Sequence, residues 1–380
     1  MRHDVGVRDQ TLALTALSVL AALCGLVVLV AVAKRRQLSV ASVVVALCVS
    51  GAVVIAGAMF GVLGVGTTLG VFGLAHLAYL SATVAMPMLG AGVVALGARS
   101  RPSGWTLGLG ALMVLPAPVG LYATHVAPFR LQVDRATVTL DERRDGSEPV
   151  TVGVLSDLQT TGLGDHERAA VDEVMAAAPD VIVLPGDLFQ ADHETLVAEG
   201  PALRDLLARL DAPGGVYFVR GDVDRDSRVE HLLEGTGVVI LDDRVERVHV
   251  RDRTLLIGGT RKEHASATAE GVREELRAAA DAGEITILLS HRPDTVLGLP
   301  PDSGVDLTIA GHTHGGQIAV PGFGPLTVLS NVPREVGAGG LHEVRGNRIY
   351  VSTGVGMERG QAPQIRLFVP PSVGLLTLTG

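Results

Sequence analysis

Gly311-His312-Thr313-His314-Gly315-Gly316-Gln317 sets two imidazoles one residue apart in a glycine-lined turn, directly after the mostly apolar run Val305 to Ala310. A strand end followed by such a turn places both rings at the mouth of a sheet, where α/β domains bind ligands. Neutral imidazole is the commonest metal ligand, and two rings this close can reach neighbouring ions, or hold one ion and a reacting group. The rival reading of the turn alone is a solvated loop that happens to contain histidine. Four further polar corners change that balance: Ser156-Asp157-Leu158-Gln159, Gly186-Asp187, Gly221-Asp222-Val223-Asp224 and Ser290-His291. An aspartate at a strand end is usually a cap or turn residue. Corners recurring at successive strand ends supply carboxylates, imidazoles and an amide that can meet on one rim. Nitrogen and oxygen donors without thiolate suit Mn, Fe, Zn or Mg rather than copper(I) or iron–sulfur clusters.

The elements that must position these corners read as strand, loop and helix in alternation. Apolar runs predict strands over residues 150–155, 180–184, 215–219, 238–241, 245–250, 254–257 and 285–289, with closing strands at 348–352 and 372–378. Amphipathic stretches predict helices over 166–178, 194–210 and 270–282. That alternation implies a mainly parallel sheet covered by helices.

Composition divides the 380-residue chain. Residues 1–127 hold seven Lys/Arg against two acids, net +5, so the remaining 253 residues carry −14 of the overall −9. The acidic part is long enough for a full-size core. Its charge excludes nucleic acid as the main partner and suits a carboxylate-rich site that takes up cations. Cys24 and Cys48 both lie in apolar runs of the front part and read as small buried hydrophobes, which excludes a thiolate site from the acidic part. Four apolar runs, residues 11–33, 38–65, 67–98 and 105–127, are long enough to span a bilayer. None carries Asp, Glu, Lys or Arg at depth, and His76 is the one mid-span polar candidate, so an anchor is favoured over a transporter. Lys34-Arg35-Arg36 and Arg99/Arg101 occupy the first and third loops, whereas the second, near Gly64 to Thr68, is uncharged. The positive-inside bias then puts those two loops in the cytoplasm and the acidic part outside a cytoplasmic membrane, against a contrary pull from Arg130 and Arg135. The expected domains are a helical membrane region over 1–127, a charged connector over 128–149 and a catalytic domain over 150–380.

The order of the corners resembles that of the calcineurin-like metallophosphoesterases, whose pattern is Asp-x-His, Gly-Asp, Gly-Asn-His-Asp/Glu, His and Gly-His-x-His. Here it stands as Asp157-Leu158-Gln159, Gly186-Asp187, Gly221-Asp222-Val223-Asp224, His291 and Gly311-His312-Thr313-His314, and covers about residues 150–378. The continuation Gly-His-Thr-His-Gly-Gly-Gln is similar to the bacterial membrane-attached branch, as are Tyr350 to Gly356 and Arg366 ahead of Pro370-Pro371. The resemblance implies a two-sheet β-sandwich flanked by helices and two adjacent divalent metals. Asp157, Gln159, Asp187 and His314 would hold the first metal; Asp187, bridging, with Asp222, His291 and His312 would hold the second. Asp187, Asp224 and His312 are the implied catalytic group, with Asp224 as an outer support.

Three positions depart from the pattern. Gln159 replaces a histidine with a weaker neutral donor. Asp222 replaces an asparagine and adds a charge that tightens a divalent cation. Val223 replaces the histidine assigned to phosphate contact and leaving-group protonation, so leaving groups of low pKa are favoured. The chemistry implied is hydrolysis of phosphate mono- or diesters, or pyrophosphate bonds, by hydroxide bridging two ions, with a phosphorylated, lipid- or envelope-related substrate. Arg220, Arg261, Arg292 and Arg366 are candidates to stabilise transition-state charge, against the commoner role of a surface salt bridge. The rival reading is a weakened metal- or phosphate-binding sensor or scaffold at the membrane.

Overall fold

The computed structural model describes residues 4–64, 69–261 and 266–380; the core of the uncharged second loop, residues 65–68, lies outside them. Two compact units form, one of the chain up to Val126 with Glu358–Gln364, the other of Ala127–Met357 with Ile365–Gly380.

The first unit is helical: α1 (Asp4–Lys34), α2 (Val40–Gly64), α3 (Val71–Leu80), α4 (Met86–Ser100), α5 (Gly104–Val114) and α6 (Pro116–His125). Thr11–Lys34, Val40–Met59, Val71–Ser100 and Gly104–Phe129 are long and apolar enough to cross a membrane, close to the four expected runs. The prolines shape two of them. A π-helical turn, Ser81–Ala85, joins α3 to α4 just ahead of Pro87. Proline offers no N–H to the preceding turn and crowds its carbonyl, and a wider turn relieves both. The break between α5 and α6 falls at Leu115, before Pro116. His76 Nδ1 lies 3.2 Å from the Gln361 carbonyl, a backbone contact that supplies no ionisable partner for a relay. Cys48 corrects its expectation: it is exposed on α2, where an apolar thiol suits a lipid-facing surface as well as a packed one.

The second unit begins with β1 (Gln132–Thr139) and continues through β2 (Val150–Val154), α7 (Asp165–Ala176), β3 (Val181–Leu184), α8 (His193–Leu207), β4 (Val216–Phe218), α9 (Asp226–Leu233) and β5 (Val238–Ile240). There follow β6 (Arg244–Val250), β7 (Arg253–Thr260), α10 (Ala267–Asp281), β8 (Ile285–Ser290), β9 (Leu307–Ala310), β10 (Ala319–Val320), β11 (Gly324–Pro325), α11 (Arg334–Gly337), β12 (Gly340–Val344), β13 (Asn347–Val351) and β14 (Ser372–Thr379). One six-stranded sheet runs β1-β14-β2-β3-β4-β5 and the other β12-β13-β9-β8-β7-β6. β2 through β5 are parallel, as are β7, β8, β9 and β13, while β14, β6 and β12 run antiparallel to their neighbours β2, β7 and β13. Both sheets are therefore mixed, with the parallel strands central.

The sheets face each other across a core that includes Val152, Val181, Ile257, Ile287, Ile309 and Tyr350. The outer face of the first sheet packs on α7, α8 and α9 through Val171, Leu203, Leu206 and Leu232, and that of the second on α10 through Val272 and Leu276. Burial on both faces explains why the central strands read as unbroken apolar runs. The 128–149 stretch corrects the expectation of a plain connector. β1 pairs residue by residue with β14, and Arg144, fully buried, forms an ion pair with Asp306 at 2.8 Å.

Candidate metal centre

Every predicted corner lies at the carboxyl end of a parallel strand. Asp157 and Gln159 follow β2, Asp187 follows β3, Asp222 and Asp224 follow β4, His291 follows β8, and His312 and His314 follow β9. Because the parallel central strands of each sheet run the same way, their ends share a rim, and the two sheets present those rims together. The turns are tight. Asp157 (φ 48°), Gln159 (35°), Asp187 (55°), His312 (71°) and His314 (49°) all sit in the left-handed region, where non-glycine residues are strained and cluster at functional sites. Two glycines are required by close approach: a Cβ at Gly221 would collide with the Asp187 carboxylate, and one at Gly311 with Asp157 and Ser156.

The side chains converge. Asp222, His291 and His312 present donor atoms all within 4.8 Å of one another, and so do Asp157, Asp187 and His291. His291 is buried, and its Nδ1 lies 2.7 Å from the Pro185 carbonyl. A carbonyl only accepts, so the ring proton sits on Nδ1 and Nε2 carries the lone pair. That Nε2 has no hydrogen bond; it faces Asp187 Oδ2 at 3.4 Å and Asp222 Oδ2 at 3.8 Å. An imidazole pinned by a carbonyl, with a bare buried nitrogen between two carboxylates, is what a cation site requires. His312 stands between two acceptors: Nε2 lies 3.3 Å from the Leu329 carbonyl and Nδ1 lies 3.1 Å from Asp222 Oδ2. The donors of Asp222, His291 and His312, with Asp187 against His291, suit a divalent ion.

The other half of the centre differs. Gln159 Nε2 donates to Asp187 Oδ2 at 3.0 Å, so the amide turns its nitrogen toward the shared carboxylate. His314 Nε2 stands 3.9 Å from Asp157 Oδ1, and its Nδ1 lies 3.3 Å from Arg366 Nη2. Asp224 supports the rim from behind. It accepts from the backbone N–H groups of Asp187 (2.6 Å), Leu188 (3.0 Å) and Gly221 (2.9 Å). Val223, with no histidine side chain to offer, contributes its N–H to Asp187 Oδ1 at 2.9 Å.

Burial and crowding set the charges. Burial pushes the Asp157 carboxyl up to about 6, against the pull of His291. Burial, then the charge of Asp187, push Asp224 up to about 6 as well. Burial lowers His291. Burial opposes the ionisation of Asp222, but the hydrogen bond from His312 and the Arg292 guanidinium hold its carboxyl well below the usual range. His312 is raised: burial works against its charged form, and its hydrogen bond to Asp222 and the Asp222 charge outweigh that. A rim of carboxylates pressed upward by burial is one that a cation relieves.

Of the four candidate arginines, Arg292 alone stands at the open side of the cluster. Its guanidinium grips Asp222, with Nε at 3.1 Å from Oδ2 and Nη2 at 2.8 and 2.7 Å from the two oxygens. Arg366 is fully buried behind His314 and also donates to the Gly354 and Gly356 carbonyls. Arg220 pairs with Asp242 and Glu230, and Arg261 with Asp242. Two supports carried no sequence signal. The Leu329 carbonyl at His312 is one. The other is Asp294, which anchors that segment by accepting from Ser330 Oγ (2.6 Å), Asn331 N (2.9 Å) and Asn331 Nδ2 (2.6 Å).

A two-sheet sandwich that gathers carboxylates and imidazoles at its parallel-strand ends makes a candidate divalent-metal centre. Residues 150–316 match the calcineurin-like phosphoesterase family, so the second unit contains a region similar to that family. A Caenorhabditis elegans protein bearing a metallophosphoesterase name is 28% identical over 274 residues, 68% of this chain and 54% of that one. The match thus spans little more than half the length of that relative. The uncharacterized metallophosphoesterase YkuE of Bacillus subtilis is 25% identical over 68% of this chain and 88% of its own. The phosphodiesterase YaeI of Escherichia coli is 29% identical over 53% of this chain and 70% of its own.

Proposed function

We propose that the protein is a membrane-anchored phosphoesterase that uses two divalent ions to hydrolyse phosphate mono- or diesters, or pyrophosphate bonds, of a lipid- or envelope-related substrate. The observation that carries this is His291: a buried imidazole whose proton is fixed on Pro185 and whose bare Nε2 lies between Asp187 and Asp222. Asp187, Asp222, His291 and His312 would hold one ion; Asp157, Gln159, Asp187 and His314 would hold the other. When bound, such a pair screens phosphoryl charge and lowers the pKa of an attacking water. The chain's own groups do the rest. Asp187 would serve both positions, with Val223 N–H fixing one oxygen. Asp224 holds the loops that carry it. His312 faces the open side beside Arg292, whose guanidinium is placed to leave Asp222 for phosphoryl oxygens and stabilise the charge that spreads there. With valine at 223, no imidazole at that position protonates the leaving group, so aryl esters and pyrophosphates are the preferred class.

The test uses the full chain in detergent. Metal content and hydrolysis of p-nitrophenyl phosphate and bis(p-nitrophenyl) phosphate are measured before and after chelation and readdition of Mn²⁺. Negligible bound metal with no metal-stimulated turnover overturns the reading. The departures at Gln159 and Val223 favour a second reading, a binding sensor or scaffold. Wild-type inactivity that Val223→His leaves unchanged, with metal still bound, supports it. The basic first and third loops motivate an outward-facing domain. Labelling of Ser147→Cys from the cytoplasmic side alone would reverse that orientation.

A further inference from the structure

Beside His312 the protein exposes a band of large apolar side chains. The turn bearing both histidines runs on through β10, β11 and Leu329, and residues 365–369 lie alongside it. Ile318 bridges Leu367, Ala319 N donates to the Leu367 carbonyl at 2.9 Å, and Leu367 N donates to the Gln317 carbonyl at 2.9 Å. On these segments Phe323 is 55% exposed, Leu326 58%, Leu329 55% and Phe368 65%. Large apolar groups on adjoining segments, rather than scattered over the surface, mark a binding surface. Two are held there under strain. Leu329 (φ 48°) and Phe368 (φ 59°) are left-handed, a conformation that bulky residues adopt only where the surroundings impose it. The Leu329 carbonyl is also the group that fixes His312. The Arg334 guanidinium stands 4.0 Å over the Phe323 ring, so a cation borders the same band.

We infer that this band holds the hydrocarbon part of an amphiphilic phosphoester whose phosphate lies in the metal centre. The inference rests on the phosphoesterase reading above and narrows its substrate class. The band starts at a ligand candidate, so one molecule that fills both places carries a phosphate next to an apolar chain. Four segments apolar enough to cross a bilayer tie the domain to the compartment where such molecules concentrate.

The experiment measures equilibrium binding of butyl-, hexyl- and octylphosphonate to the Mn²⁺-loaded full chain. Variants are compared in the same micelle, so that partitioning cancels. Affinity rises about tenfold from butyl to octyl, well below the roughly fourfold per methylene of complete burial. Phe368→Asn, which tolerates the left-handed backbone, and Phe323→Ser/Leu326→Ser each reduce the rise to about twofold. The rise is a ratio within one protein, so it is insensitive to losses of overall activity. A flat dependence in the wild type, or an undiminished one in both variants, overturns the inference. So does self-association that the same substitutions abolish while phosphonate affinity stays flat, which assigns the band to a second copy. Aryl phosphate hydrolysis on the same samples separates the two readings. A flat dependence with metal-stimulated hydrolysis removes the band alone. A steep dependence without hydrolysis keeps the band and removes the hydrolase.

Discussion

Replacing Asp224 with asparagine distinguishes a group that touches the reacting atoms from one that holds the loops. The carboxylate accepts from Asp187 N and Gly221 N on one oxygen, and from Leu188 N on the other. An asparagine carbonyl can keep the first pair as neutral bonds. Its NH₂ then meets the Leu188 N–H donor to donor. One stranded buried donor costs about 1–3 kcal/mol, and weakening two charge-assisted bonds costs about 1 kcal/mol each. Relief of the buried carboxylate's desolvation, and of its repulsion from Asp187, returns most of this, which leaves a net loss of about 1 kcal/mol. For a domain of this size that lowers Tm by about 2–4 °C.

The same substitution loosens the turn that holds Asp187 at φ 55°. Metal affinity then falls by about 10- to 100-fold, the usual effect of losing a group behind a ligand. At saturating Mn²⁺, turnover stays within about tenfold of wild type, because no group on the reacting atoms has gone. Calorimetry of the detergent-solubilised full chain, metal titration and bis(p-nitrophenyl) phosphate hydrolysis supply the three readouts. An unchanged melting temperature with turnover at saturating metal down about a thousandfold would refute the reasoning, since that is the signature of direct action on the substrate.

Other perturbations follow from the same geometry. His291→Ala removes the pinned imidazole and is expected to lower bound metal by one equivalent after desalting, read by elemental analysis; full retention takes His291 out of the site. Arg292→Ala is expected to lower kcat for aryl phosphates by about 10²–10³ with metal content intact, whereas an effect confined to metal affinity shows that the arginine only balances Asp222. Asp294 predicts a pH dependence. Burial would raise its pKa, but the Ser330 hydroxyl and Asn331 amides hold it below the usual 3.8. A depressed folded pKa gives stability that is present above 3.8 and lost as pH falls through the folded value. The wild-type minus Asp294→Asn difference in unfolding free energy should therefore be flat from pH 7 to about 5 and shrink below about 4; a difference that already fades between pH 7 and 5 contradicts the assignment.

The centre was legible in the sequence because each of its corners is a local event. An apolar run ends, the chain turns, and one polar residue follows, as at Leu155-Ser156-Asp157 or Leu289-Ser290-His291. Asp224 apart, the contacts of the supports were not legible, because each is long-range. Arg292 meets Asp222 across 70 residues, Arg366 meets His314 across 52, and Asp294 reaches Ser330 across 36. β1 escaped for a similar reason. It is a half-exposed edge strand of weak apolar pattern, and its partner β14 lies at the other end of the domain.

The departures at Gln159 and Asp222 acquire a common sense in the structure. Arginine can only donate, so Arg366 at Nδ1 of His314 puts the neutral ring's proton on Nε2, toward Asp157. Gln159 likewise turns a donor to Asp187. The first metal position thus meets hydrogens where a cation needs lone pairs, and filling it requires the amide to flip and Arg366 to release the ring. At the second position the His291 proton is already parked on the Pro185 carbonyl, and Asp222 adds a full charge where asparagine is usual. The two positions should therefore fill in sequence, the Asp222–His291–His312 side first. Gln159→His, which restores an imidazole to the reluctant side, should raise the affinity of the weaker step alone. A titration in which both steps tighten together would mean that the two positions are not set by these hydrogens.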